Sequence, residues 1–316
     1  MYIVRLKGGE EFNCSGTAIL NAALAANIPL PYSCNRGECD ACQCKLIVGE
    51  VTELGVVRMP GELIRTCQAL PNSDCELDAE YIPMLQGIDR LVAPAKVSSV
   101  NFVNEVAIIK FRTPPSVKFR FIEGQYLDLI YNGIKRSYSI ASMSGDSFLE
   151  LHVKKVIGGG MSEKIFDGFV ENTLVRIDGP IGSFFVRDSN RPLIFLATGT
   201  GFSPVQAMVS KLLQSDQTRK IKIFWGNRSL SDFYTDLPSQ WGESLEHLEY
   251  FPVISRGEGP LKYVQYAALN EVSDFSNYDV YACGSSNMIG SARSLLIEHG
   301  LFAENFYSDA FVATTN

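Results

Sequence analysis

Cys34-Asn35-Arg36-Gly37-Glu38-Cys39-Asp40-Ala41-Cys42, answered at a distance by Cys67, is the stretch on which the reading of this chain turns. The spacing C-x4-C-x2-C with a remote fourth cysteine is that of a plant-type 2Fe–2S cluster, which needs four thiolates converging on two irons. A tight loop can deliver three of them, and the fourth must return from elsewhere in the fold. Gly37 lets the backbone turn where a side chain would crowd the cluster. Structural zinc is the competing reading of four cysteines. Zinc sites usually combine two C-x2-C pairs, whereas here Cys39 and Cys42 make one such pair and Cys67 stands alone.

Working outward, Tyr2–Leu6 and 11–14 alternate around Gly8-Gly9, which is hairpin grammar. From Thr17, Ala18-Ile19-Leu20-Asn21-Ala22-Ala23-Leu24 has helical spacing and Pro29 closes it. After the cysteine loop, 44–51 reads as a strand and turn. The segment is a small mixed fold wrapped around one helix, and it resembles the β-grasp ferredoxins. A chain of 316 residues holds two or three domains, so the loop belongs to one of them. Hydrophobic content of 46% suffices for packed cores.

No apolar run approaches the length of a membrane span. The opening Met1-Tyr2-Ile3-Val4-Arg5-Leu6 reads as a strand and lacks the basic start and apolar core of a signal peptide. The expected location is therefore the cytoplasm, where eight cysteines point to reduced thiols and metal ligation. Cys14, Cys44, Cys75 and Cys283 remain after the cluster takes its four. Of the net charge of −7, residues 1–88 carry −5. Such an acidic segment binds nucleic acid poorly. It can steer toward a basic face on a protein partner, or simply keep the surface soluble.

A boundary is expected in 83–89. Beyond it, strand-like runs at 95–102, 106–111, 125–131, 136–140, 148–154 and 174–177 are separated by turns, with one helix at 162–169. Closely spaced antiparallel strands of this kind form a small barrel. From Arg191 strands at 193–197, 221–225, 250–254 and 279–282 alternate with helices at 204–213, 262–269 and 288–299, the pattern of a parallel α/β sheet. The expected domains are 1–88, 89–190 and 191–316.

Arg136-Ser137-Tyr138-Ser139 lies on a barrel strand. Alternating hydroxyls are also the ordinary face of a sheet. As a flavin site, Arg136 would bind a pyrophosphate, Tyr138 stack on the isoalloxazine and Ser139 reach its N5. Gly158-Gly159-Gly160-Met161-Ser162 precedes the barrel's helix and offers backbone N–H groups to an anion, or is a plain glycine turn. His152 and Val153 lie on a strand beside these glycines and are assigned to the flavin; His247 and His299 read as surface residues. Gly199-Thr200-Gly201-Phe202-Ser203-Pro204 joins a strand's carboxyl end to a helix, where such folds bind dinucleotides. Cys283-Gly284-Ser285-Ser286 ends a later strand of the same sheet. Gly284 would admit a nicotinamide ring, and Cys283 is either a site residue or a core thiol. In the tail Phe306-Tyr307-Ser308-Asp309-Ala310-Phe311-Val312, Phe311 is placed over the flavin and Asp309 beside it. Ser203 is no hydrolase nucleophile, since the G-x-S-x-G elbow is missing.

With these motifs in one order, the chain resembles the ferredoxin–reductase fusions of the ferredoxin–NADP reductase superfamily. Cys34, Cys39, Cys42 and Cys67 match the cluster ligands. Arg136, Tyr138 and Ser139 match the R-x-Y-S flavin motif, Gly158 to Ser162 the G-G-x-x-S motif, and 199–204 with Cys283-Gly284 the nicotinamide motifs. Within that group it is similar to the CDP-6-deoxy-Δ3,4-glucoseen reductases through Tyr32-Ser33-Cys34, 137–141, 281–285 and the tail; reductase components of aromatic-ring oxygenases share most of these features. The resemblance implies FAD, a 2Fe–2S cluster and NADH as cofactors, with Ser139, Cys283 and Phe311 at the reacting ring. NADH would give two electrons to the flavin, and the cluster would pass them on singly. The implied partner is a pyridoxamine-phosphate sugar dehydrase of 3,6-dideoxyhexose synthesis, or else a Rieske or di-iron oxygenase, met by a monomer in transient docking. A redox sensor without sustained turnover is the reading from another class.

Two departures stand out. Asp40 replaces the usual Gly after the second cluster cysteine, and its charge is expected to lower the cluster's potential unless it points to solvent. Ser285-Ser286 replaces a usual Pro-Pro, which leaves the shape of the nicotinamide pocket open. In 226–232 Arg228 is the lone cation and Asp232 opposes it. That favours NADH over NADPH, whose 2′-phosphate calls for a basic cradle.

Overall fold

The computed structural model describes residues 1–215, 218–256 and 262–311; Val312, at the end of the tail quoted above, lies outside them. The chain divides into two compact units, one built on Met1–Asp89 with Gly182–Phe184, the other on Arg90–Ile181 with Phe185–Phe311.

In the first unit, the strands run in the order Glu11–Cys14, Tyr2–Leu6, Cys75–Asp78, Gln43–Val48, Leu63–Arg65. Alternation along Tyr2–Leu6 turns Val4 and Leu6 inward, against Ile19, Leu20 and Ala23 of the helix Ile19–Ala25. The helix stops where Asn27 takes a φ of 57°, short of Pro29. A second sheet, Val56–Arg58, Val51–Glu53, Ala69–Pro71, flanks it. Three of the leftover thiols, Cys14, Cys44 and Cys75, belong to this core. Burial pushes Cys44 up to about 12, so it stays a protonated core residue.

The second unit opens with six antiparallel strands ordered Ile134–Ser139, Tyr126–Tyr131, Leu174–Ile181, Leu91–Val103, Val106–Arg112, Leu149–Lys154. A bridge from Ile140 to Leu151 brings the two ends of this half-barrel together. Its interior is filled by Val97, Ile109, Phe111, Leu127, Leu129, Leu151 and Ile177. The following parallel sheet is ordered Leu248–Ile254, Ile221–Asn227, Leu193–Thr198, Asp279–Ser285, Phe306–Phe311. Strands added to opposite sides of Leu193–Thr198 make a switch point there, and ligands of such sheets bind at the carboxyl ends beside it. The tail, read as an aromatic pair, is the fifth strand: Tyr307 stacks on Tyr281 at 4.8 Å, and Cys283 lies opposite Asp309. The helix Leu237–Ser244 also escaped the sequence reading, because Pro238 and Gly242 interrupt its pattern.

One face of the half-barrel carries an ionic network. Arg90 donates to both oxygens of Asp178 at 2.7 and 2.8 Å, and Lys135 reaches Asp178 at 2.9 Å and Asp128 at 2.8 Å. The Arg90 fork holds the Asp178 carboxyl at about 2, below its ordinary 3.8. A lowered carboxyl stabilises the fold fully above its unfolded value and loses that contribution as pH falls through the folded one. Asp178→Asn is therefore expected to be less stable than the wild type at pH 6, with the gap closing between pH 4 and pH 2. Near-ultraviolet circular dichroism during acid titration of the holoprotein checks this; a gap independent of pH would refute it.

Candidate functional site

The loop 34–42 holds its shape with Asn35, Gly37 and Asp40 at φ of 51°, 81° and 54°. At Gly37 a Cβ would lie 2.9 Å from Gln68 Cγ, so the turn requires glycine for conformation and space alike. The thiols meet in pairs. Cys34 and Cys39 share a hydrogen bond, and Cys42 and Cys67 stand 3.2 Å apart, sulfur to sulfur. Backbone N–H groups aim at the sulfurs: Arg36 to Cys34 and Cys34 to Cys39, each at 3.3 Å, Ala41 to Cys39 and Gly37 to Cys67. The hydrogen bond from Cys39 draws Cys34 down to about 5, and that from Cys42 draws Cys67 to about 7. The shared proton and burial push Cys39 and Cys42 upward in turn, and four sulfurs supplied with N–H donors and gathered as two pairs suit two irons. The Asp40 side chain is 56% exposed, which meets the solvent-facing exception named above, and it is paired as well, with Arg65 Nε 2.6 Å from its Oδ1.

In the second unit, the structure brings Ser139, Asp309 and Cys283 together at the switch point. Ser139 Oγ donates to Asp309 Oδ2 at 3.4 Å across 170 positions of sequence. Phe311, two residues on along the strand, projects to the same side as Asp309 and is 40% exposed. On the strand Ile134–Ser139, Arg136 and Tyr138 share one face, while Ser137 turns away and donates to Asp128 at 2.6 Å. The helix Gly160–Gly168 starts against Ile134 of that strand, whose Cδ1 would lie 3.3 Å from a Cβ at Gly160. Ser162 Oγ is spent within the glycine turn on Val156 and Gly159, and Glu163 accepts from the Gly158 N–H at 2.7 Å.

Several side chains depart from expectation. Val153 and Met161 are core residues of the half-barrel, 1% exposed, with only backbone to offer a ligand. Cys283 is fully buried, and burial followed by the charge of Asp309 pushes its thiol well up, so it is neutral and forms part of the floor. At Gly284 a Cβ would land on Thr198 Oγ1, so the strand end packs against Thr198 only with glycine there. Gly201 likewise lies against the Cys283 carbonyl, while the space outside Gly199 is open. Both ring nitrogens of His152 are engaged, by Tyr234 and by Glu150 at 3.0 Å each. Gln206 also donates to Glu150, at 3.0 Å. This buried network between half-barrel and parallel sheet includes Tyr234 and Gln206, which carried no motif. His247 is half-buried and its Nε2 lacks a partner, whereas His299 is exposed as expected.

A polar group awaits a ligand at the carboxyl edge of the parallel sheet. Asn227 Nδ2, at the end of its strand, is buried without a hydrogen-bond partner, while Ser203 Oγ, at the start of the helix Phe202–Gln214, lies against the Tyr234 hydroxyl. Thr200 sits in the turn Gly199–Gly201 and Pro204 in the helix's first turn; the turn is anchored by Trp225 Nε1, which donates to Gly199 O at 2.9 Å. Parallel pairing also brings in a cation that the count of 226–232 missed, since Arg256 N donates to Arg228 O at 3.1 Å. Burial works upward on Asp232, but the Ser229 hydroxyl and N–H hold it below the usual carboxylate range.

A paired-thiol loop, an antiparallel half-barrel and a parallel sheet with an open switch point define an electron-transferring oxidoreductase. Comparison agrees region by region. Residues 4–72 match the 2Fe-2S iron-sulfur cluster binding domain, 94–186 the oxidoreductase FAD-binding domain and 195–294 the oxidoreductase NAD-binding domain. Protein RfbI of Salmonella typhimurium is 43% identical over 95% of this chain and 92% of its own. The CDP-6-deoxy-L-threo-D-glycero-4-hexulose-3-dehydrase reductase of Yersinia pseudotuberculosis is 42% identical over 96% of both. The crystal structure of the Amycolatopsis cytochrome P450 reductase GcoB shares the fold, with a TM-score of 0.76 at 24% identity over 98% of this chain and 99% of that one. The chain belongs to the fused iron–sulfur flavoprotein reductases of the ferredoxin–NADP reductase superfamily.

Proposed function

We propose that this chain draws electrons from NADH and delivers them to a sugar dehydrase of the kind named in its Yersinia relative, a pyridoxamine-phosphate enzyme acting on a CDP-linked 4-keto-6-deoxyhexose. When bound, the nicotinamide supplies electrons in pairs, the flavin accepts pairs and releases single electrons, and the cluster carries one at a time. Cys34, Cys39, Cys42 and Cys67 hold the cluster, and Arg136 with the first-turn N–H groups of the helix Gly160–Gly168 neutralises the flavin's diphosphate. Tyr138 and Phe311 cover the ring system. Asp309 positions the Ser139 hydroxyl, while 199–204 and Asn227 receive the nucleotide. Domain limits at 88/89 and 190/191 follow from this assignment. With all eight cysteines free, the reading places a monomer in the reducing cytoplasm, docking transiently on its partner. Helices long and apolar enough to cross a membrane are absent among the described residues.

The observation that carries the proposal is the meeting of Ser139 with Asp309 beside Cys283, in a chain that also pairs four thiols. Ser139→Ala is expected to slow flavin reduction by NADH about 10- to 100-fold, the kinetic equivalent of one charge-assisted hydrogen bond of about 1.5–3 kcal/mol. Stopped-flow bleaching of the flavin reads this directly, and an unchanged rate refutes the role. For the whole reading, anaerobically purified protein is expected to reduce cytochrome c with NADH faster than with NADPH, and to support product formation by the dehydrase. A sensor would show little reduction. Product formation with an oxygenase in place of the dehydrase would overturn the partner assignment.

A further inference from the structure

We propose that Asp40 and Arg65 form a charge-balanced clasp that ties the three-cysteine loop to the strand leading into the fourth cysteine and sets the reduction potential of the cluster between them. The inference rests on the assignment of Cys34, Cys39, Cys42 and Cys67 as its ligands.

Asp40 sits between Cys39 and Cys42 in a left-handed conformation, φ 54°. Aspartate tolerates this conformation better than most residues, at a small cost that local contacts offset. Two contacts fix it in place: Gln43 N donates to Asp40 O at 3.0 Å, and Arg65 Nε donates to Asp40 Oδ1 at 2.6 Å. Arg65 ends the strand Leu63–Arg65, opposite Gln43 in register and two residues before Cys67. The clasp therefore spans both segments that supply ligands.

An exposed ion pair usually contributes little, because long side chains move and water screens them. Arg65 is different, since it is anchored from behind. Its second arm donates to Glu53 Oε1 at 3.2 Å, as does its own backbone N–H. The Glu53 side chain is 2% exposed, with its other oxygen taken by Arg58 Nε at 3.2 Å. A carboxylate so buried requires its cations, so Arg65 is committed to this place before Asp40 meets it.

The consequence is electrostatic. An added electron is disfavoured by nearby negative charge, and charge and hydrogen bonding tune such clusters. Arg65 masks Asp40 beside the ligands; without it, two carboxylates, Asp40 and Glu53, lose a shared cation. Without Asp40, the positive charge of Arg65 is balanced by Glu53 alone.

Dye-mediated redox titration of the flavin- and cluster-loaded chain, followed by electron paramagnetic resonance, tests this. Asp40→Asn is expected to raise the cluster potential and Arg65→Gln to lower it, with the double variant returning toward the wild type. Both single variants should lose the cluster to a chelator severalfold faster. A merely structural pair would weaken cluster retention without shifts of opposite sign. Intact clusters with unmoved potentials, or shifts of the same sign, overturn the proposal. If Arg65→Gln cannot be loaded, Asp40→Asn decides alone by its rise or lack of one. A wild-type chain that takes up no cluster on reconstitution overturns the ligand assignment instead.

Discussion

Cys67→Ala is expected to yield a yellow protein without a cluster: it reduces ferricyanide with NADH at the wild-type rate and cytochrome c only at background. Cys67 is the ligand supplied from outside the loop, and the fold holds it there firmly. Thr66 donates to Cys42 O through both its N–H, at 3.1 Å, and its hydroxyl, at 3.3 Å. Leu20 N of the helix donates to Thr66 O at 2.9 Å. With the alanine in place, the geometry of 66–68 persists while the Cys42 thiol loses its partner at 3.2 Å. An iron then lacks one of its two protein ligands, and the cluster is not retained. The flavin and nucleotide sites lie in the other compact unit, so their NADH oxidation is expected to survive. Visible circular dichroism and iron analysis read the loss; full cluster absorption in the variant would falsify the assignment.

Gly201→Ala is expected to lower the melting temperature and raise KM for NADH, with flavin content unchanged. The added Cβ would meet the Cys283 carbonyl oxygen and carbon, which are backbone atoms of a central strand and cannot swing aside. Forcing one methyl into a packed interior costs about 1–3 kcal/mol, which for a unit of this size is a fall of about 2–12 °C in Tm. Relief comes from moving the turn Gly199–Gly201 off the sheet, and that turn leads into the helix Phe202–Gln214, where the nucleotide is proposed to bind. Scanning calorimetry and steady-state kinetics read the two effects. An unchanged Tm together with an unchanged KM would show that the strand and turn separate without cost.

Much of this fold was legible because it is written in short-range patterns. The apolar run 193–197 can only be a strand covered on both faces, and the glycines at 199 and 201 mark the turn beyond it. The tail resisted the same treatment. Ser308-Asp309 interrupts its apolar pattern, and it becomes a strand only because Val280–Ser285 offers a free edge beside it. The surroundings of His152 were hidden for a similar reason: its ring meets Tyr234, 82 positions away, a neighbour that no local pattern announces.

By itself the sequence determined which chemistry the chain can host, because cysteine spacing, strand periodicity and turn glycines act over a few residues. It could not determine which groups face one another. Pairing of Cys42 with Cys67, masking of Asp40 by Arg65, approach of Arg256 to Arg228 and the contact of Ser139 with Asp309 were decided by tertiary structure alone. Each joins segments that only packing brings together, and no local pattern encodes a neighbour that arrives through the core.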